Sequence, residues 1–122
     1  MKGRIAIAVA AIVLAMGAPA AAGPSGNDVL PYCEVRLGDN LGGVATEALG
    51  HGQCWGVVST LISVADLMID GPRFCPPKGG TVKQGVSIVV KALRERPETL
   101  HKQFVELTHF ALIKAWPCGA AQ

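Results

Sequence analysis

Residues 81–117 read TVKQGVSIVVKALRERPETLHKQFVELTHFALIKAWP, and this stretch decides the fold class. Thr81 and Gln84 stand at the spacing of a capping box, in which each side chain satisfies the other's backbone donor and a helix begins. Behind them Val82, Val86, Val89, Val90 and Leu93 recur at three- and four-residue intervals, the period of one helical face. Pro97 suits the first turn of a further helix, where its missing N–H costs nothing, and Glu98 suits the positive end of that helix dipole. Leu100, Phe104, Leu107, Ala111, Leu112, Ala115 and Trp116 then form a second apolar stripe, which Pro117 ends.

Working toward the N-terminus, a loop over Pro72–Gly80 carries Cys75-Pro76-Pro77. Before it, Val57, Val58, Leu61, Ile62, Ala65 and Met68 mark another amphipathic helix, from Gln53 to the breaker Asp70-Gly71-Pro72. Residues 36–52 hold five glycines and few large apolar side chains, so they read as a loop with a helical turn over Val44–Leu49. A short helix is expected over Val29–Val35, and residues 23–28, polar and rich in breakers, read as a disordered start. The expectation is an all-α domain over residues 29–122. Three long helices pack as antiparallel neighbours, with one or two short helices before them.

The first 22 residues belong to something else. Lys2 and Arg4 precede an apolar run from Ile5 to Met16, and Ala20 and Ala22 supply the small residues of an A-x-A site. That order is a cleavable signal peptide over residues 1–22. The run is shorter than the ~20 residues that a spanning helix needs, so no membrane contact is expected after cleavage. Taking Lys2 and Arg4 from the 11 basic residues leaves 9 against 9 acidic ones. A near-neutral domain lacks the electrostatic footprint of nucleic-acid binding.

Export gives the cysteines their meaning. Cys33, Cys54, Cys75 and Cys118 all follow the leader, and an even number in an oxidising compartment reads as a disulfide framework. They lie at least 20 residues apart with no C-x-x-C, which argues against zinc. Four cysteines allow three connectivities. A helix of about 17 residues after Cys54 rises ~25 Å, carrying the chain away before Cys75. Going up one helix and down the next brings Cys118 back to Cys75, so the layout favours Cys75–Cys118 and Cys33–Cys54.

No catalytic constellation emerges, and neither a metal nor a cofactor is expected. His101 and His109 are eight residues apart, too far to share an ion at the i, i+4 spacing, and read as edge residues of the apolar stripe. His51 reads as a solvated loop residue. Asp66 and Asp70, four apart on one expected helix, read as a solvated acidic face. No serine stands in a G-x-S-x-G elbow, and no glycine pattern spells a phosphate loop. Trp55, Trp116 and Phe74 read first as core, and any that is exposed becomes a candidate interface anchor.

The stretch Thr81–His101, the motif Cys75-Pro76-Pro77 with Gly80, and the terminal Ala115-Trp116-Pro117-Cys118 resemble the Rap/Tai-type immunity proteins. Cys54-Trp55-Gly56 keeps the same idea at the start of the first long helix, with Val57 where an aromatic is common. The resemblance implies a non-catalytic, periplasmic protein, often a homodimer. Such a protein binds and inhibits a cell-wall amidase delivered by type VI secretion. The alternative is a helical envelope adaptor of the same fold with a different partner. Under either reading the loop 72–80 is the segment to test, with Arg73, Phe74 and Lys78 as candidate partner contacts.

Overall fold

The computed structural model describes residues 23–34 and 45–119, so the expected leader and most of the 36–52 segment lie outside the described residues. Among the described residues the chain forms four α-helices: α1 (Gly26–Cys33), α2 (Ala45–Val64), α3 (Val82–Glu95) and α4 (Phe104–Ala115). Two 3-10 turns, Ala65–Leu67 and Pro97–Thr99, follow α2 and α3, and no strand is present among these residues. The architecture is the expected one: three long helices with one short helix before them.

The order of the chain begins earlier than residue 29. Ser25 caps α1 through a capping box. The Asp28 carboxylate accepts from the Ser25 backbone N–H at 2.9 Å and from its hydroxyl at 2.7 Å. These bonds to the charged form hold the Asp28 carboxyl below the ordinary aspartate range, the hydroxyl bond contributing most. The segment is also tied to a distant one: Gly26 N–H donates to the Lys102 carbonyl and Asn27 N–H to that of Leu100, both at 3.0 Å. Phe104 N–H donates back to the Pro24 carbonyl at 2.8 Å. Residues 25–28, polar as they are, therefore belong to the folded domain.

The same clasp corrects the last helix. Pro97 opens a 3-10 turn, and α4 starts only at Phe104. The carbonyls of Leu100 and Lys102 are spent on the α1 segment, so the ladder expected to run from Pro97 is interrupted. At the other end of the bundle α2 starts at Ala45, within the segment read as a loop, and it gives way to the 3-10 turn after Val64. Gly50 lies inside this helix, where glycine ordinarily costs about 1 kcal/mol against alanine. A Cβ there would collide with the Tyr32 ring, so the residue is what lets α1 and α2 approach.

Helix α3 forms as its sequence requires. Thr81 Oγ1 accepts from the Gln84 N–H at 3.2 Å, and Gln84 Oε1 accepts from the Thr81 N–H at 2.8 Å. Its inward face carries Gly85, Val86, Val89 and Leu93. Gly85 lies tight against α2, since a Cβ would stand 2.8 Å from Ile62 Cδ1 and 2.9 Å from Val58 Cγ1. The start of α3 thus packs on the latter half of α2, which makes the two antiparallel. Val29, Val58, Val89, Phe104 and Leu112 meet in one core, with Phe74 sealed into it from the loop.

Two disulfides staple the bundle, Cys33–Cys54 and Cys75–Cys118. This is the connectivity that the helix lengths favoured. The first joins the end of α1 to the middle of α2 and is buried, Cys33 being 4% exposed and Cys54 0%. The second ties the 72–80 loop to the residues after α4 and is half-buried.

Candidate protein-binding surface

The 72–80 loop is fixed by its backbone as much as by its disulfide. Cys75 N–H donates to the Trp116 carbonyl at 2.8 Å, and Phe74 and Pro117 form an isolated antiparallel bridge. Gly80 N–H closes a turn onto the Pro77 carbonyl at 2.8 Å. A segment held in this way can present side chains to a partner with little ordering cost on binding. Of the three residues expected to do so, Arg73 and Lys78 are exposed. Phe74 is not: it is 1% exposed and meets the His109 ring edge-on at 5.9 Å between centroids. Its expected role as a partner contact is corrected to a core one, because the loop turns inward at the bridge to Pro117.

The histidines and acids sort differently from their sequence reading. His51 is buried, 5% exposed, and stacks on Trp55 at 5.4 Å between centroids. Its flanking Gly50 and Gly52 suggest a solvated loop, yet both lie within α2. Among the described residues neither His51 ring nitrogen has a hydrogen-bond partner, nor has His109 Nε2. His101 is exposed. Asp66 lies in the 3-10 turn and Asp70 in the bend beyond it, so they do not share the helix expected of them. Among the described residues no group of three or more His, Cys, Asp or Glu side chains is placed to hold a metal ion.

Two open hollows flank the outer side of α3, of about 540 Å³ and about 440 Å³. Lys83 and Ser87 line both and form the exposed ridge between them. Trp55 and Arg94 line the larger hollow, with Pro77 and Trp116 in the smaller. Both tryptophans are half-buried against the core. Arg94 bonds to Glu34, and Lys91 pairs with Glu95 at 4.0 Å, whereas Lys83 has no carboxylate partner among the described residues. Lys83 carries one signal in the sequence: from Gly71 to Arg94 the chain has five cations and no Asp or Glu.

A rigid helical scaffold with two disulfides and a presented loop is what a binding protein needs. A family model of Rap1a immunity proteins matches residues 25–118. The chain belongs to the Rap1a immunity protein family. The match begins at Ser25, the residue that caps α1, and ends at Cys118, the last disulfide cysteine, so it covers the whole stapled bundle. Comparison with curated proteins found no match, and neither did comparison with solved structures. As a Rap1a member the protein is an immunity protein, of a kind directed at a secreted toxin. Such proteins are generally non-catalytic and typically exported, and the two disulfides fit an oxidising compartment. No helix among the described residues is long and apolar enough to cross a membrane.

Proposed function

We propose that the protein is a periplasmic immunity protein that binds and inhibits a peptidoglycan amidase toxin delivered by type VI secretion. Residues 1–22 act as the export signal and are removed. The mature bundle, alone or as a homodimer, then occludes the amidase. The observation that carries this reading is the family match over the full stapled bundle, joined to the resemblance of residues 75–118 to amidase-directed immunity proteins. Inhibition by occlusion asks for a rigid surface and for no acid–base chemistry of the inhibitor's own.

Within this reading the 72–80 loop contributes Arg73 and Lys78 to the contact, both exposed on a backbone that the disulfide and the bridge to Pro117 hold still. The test is protection in cells that export a type VI peptidoglycan amidase effector. Periplasmic production of the wild type should restore growth, and the Arg73→Ala/Lys78→Ala double variant should protect less. Absence of protection by the wild type, together with failure to recover the amidase by periplasmic pull-down, would refute the amidase reading. Full protection by the double variant would move the contact away from the loop.

A further inference from the structure

The paired hollows along α3 carry an inference that rests on the toxin-binding reading and goes past it. The domain is close to neutral, but its charges are not evenly spread. Residues 71–94 contain Arg73, Lys78, Lys83, Lys91 and Arg94 and no carboxylate. Two of these cations are engaged, Lys91 by Glu95 and Arg94 by Glu34. Lys83 is exposed, has no ion-pair partner among the described residues, and lines both hollows. Next to it the Ser87 hydroxyl donates to the Lys83 carbonyl at 3.0 Å, which leaves the hydroxyl oxygen free to accept from a ligand. Trp55 lines the hollow on one side of this ridge and Trp116 the hollow on the other, and both supply aromatic surface.

An unpaired cation between two partly apolar hollows matches one kind of occupant: an extended peptide segment whose acidic side chain meets Lys83 while apolar neighbours enter the hollows on either side. We propose that the outer face of α3, between Trp55 and Trp116, is the docking groove for an acidic, aliphatic segment of the toxin partner. Lys83 is its central specificity residue. The cations of the 72–80 loop extend the same positive field toward the groove and steer the encounter, as complementary charge does at protein interfaces. Glu34 and Glu95 also line the larger hollow, but they are engaged by Arg94 and Lys91, which leaves Lys83 as the cation with no carboxylate partner among the described residues.

Charge reversal at Lys83 tests this without endangering the fold. A glutamate in the first turn of α3 interacts favourably with the helix dipole, so Lys83→Glu should fold at least as well as the wild type. Affinity for a purified amidase effector recovered with the protein by periplasmic pull-down should fall at least about tenfold in Lys83→Glu, the scale of a like-charge contact, and remain unchanged in Lys114→Glu on α4. In a second arm, an octapeptide of alternating Glu and Leu is titrated into the ¹⁵N-labelled wild type, and its Lys–Leu counterpart serves as control. The acidic peptide should shift the amides of Lys83 and Ser87 and the indole N–H signals of both tryptophans, and the basic peptide should not.

If the wild type binds the amidase and Lys83→Glu binds it equally well, the groove is wrong while the amidase reading stands. If the wild type ignores the amidase but the acidic peptide maps to the groove, the amidase reading falls and the groove stands. Equal shifts from both peptides, or shifts confined to other helices, would overturn the groove outright. So would a Lys83→Glu effect seen only in self-association by sedimentation, which would assign the groove to a second copy of the chain.

Discussion

The two disulfides stand in opposite surroundings, and the contrast separates what holds this domain together from what it shows to a partner. Cys33–Cys54 is sealed in the core between α1 and α2, beside Val29 and Val58. Cys75–Cys118 sits half-buried at the edge, where it fastens the 72–80 loop to the chain end. The first spans 21 residues and the second 43. On the chain-entropy account these lengths are worth about 3 and about 4 kcal/mol. Packing lost from two buried positions adds roughly 1 kcal/mol to the first, which brings the two close to equal. Cys33–Cys54 thus acts from inside the core, fixing α1 against α2. The edge staple also fixes the geometry of a presented surface.

The largest effects break this comparison directly. Cys33→Ala/Cys54→Ala and Cys75→Ala/Cys118→Ala should each lower unfolding free energy by about 4 kcal/mol in urea titration. Only the second should loosen residues 72–80, seen as faster amide exchange at Cys75 and Gly80, whose N–H groups are bonded to the Trp116 and Pro77 carbonyls. Comparable loosening of the loop in the first variant would erase the distinction. Mild reduction sharpens it further: under native conditions a thiol reductant should open Cys75–Cys118 first, because an attacking thiolate needs access to sulfur. Alkylation and mass spectrometry at successive times report the order, and early labelling of Cys54 would contradict the assigned burial.

A smaller effect probes the packing around the buried staple. Gly85→Val drives a branched side chain into Ile62 and Val58, which a Cβ alone would already crowd. Overpacking of this kind costs about 1–3 kcal/mol, and the loss should appear in thermal unfolding. The opposite sign would mean that α2 and α3 have room to spare. The smallest effect lies at the α1 cap. Asp28 is held below its ordinary range by bonds to Ser25, so its contribution is full above the unfolded pKa and is lost as pH falls through the lower, folded one. Acid titration of stability should therefore be shallower in Asp28→Asn than in the wild type, and identical slopes would exclude the cap as a source of acid sensitivity.

Much of this fold is legible in the sequence, and the parts that are not share a cause. The capping box at Thr81 and Gln84 lies within one turn, and the apolar face of α3 needs only the helical period, so local chemistry suffices for both. The disulfide pairing follows from helix length and direction alone. The start of α4 does not, because it depends on carbonyls of Leu100 and Lys102 finding donors at Gly26 and Asn27, more than seventy residues away in sequence. The early start of α2 is hidden for a similar reason. Gly50 reads as a helix breaker until Tyr32, from another helix, is seen to occupy the space its missing side chain leaves.

The candidate surface divides in the same way. Arg73 and Lys78 are exposed as their loop position indicates, but Phe74, their neighbour, is drawn into the core by the pairing of its backbone with Pro117. Lys83 is unremarked as one residue of a helical period and gains its meaning only from the hollows on either side of it. Its surroundings are set by Trp55 on α2 and Trp116 beyond α4, which no local reading brings together.

If the stapled bundle disarms a cell-wall amidase by binding it, isothermal titration of the oxidised mature protein into a type VI amidase effector, with hydrolysis of peptidoglycan followed on the same samples, should give saturable binding in the nanomolar range and loss of hydrolysis at the same stoichiometry. Undiminished hydrolysis with no heat of binding would refute the proposed inhibition.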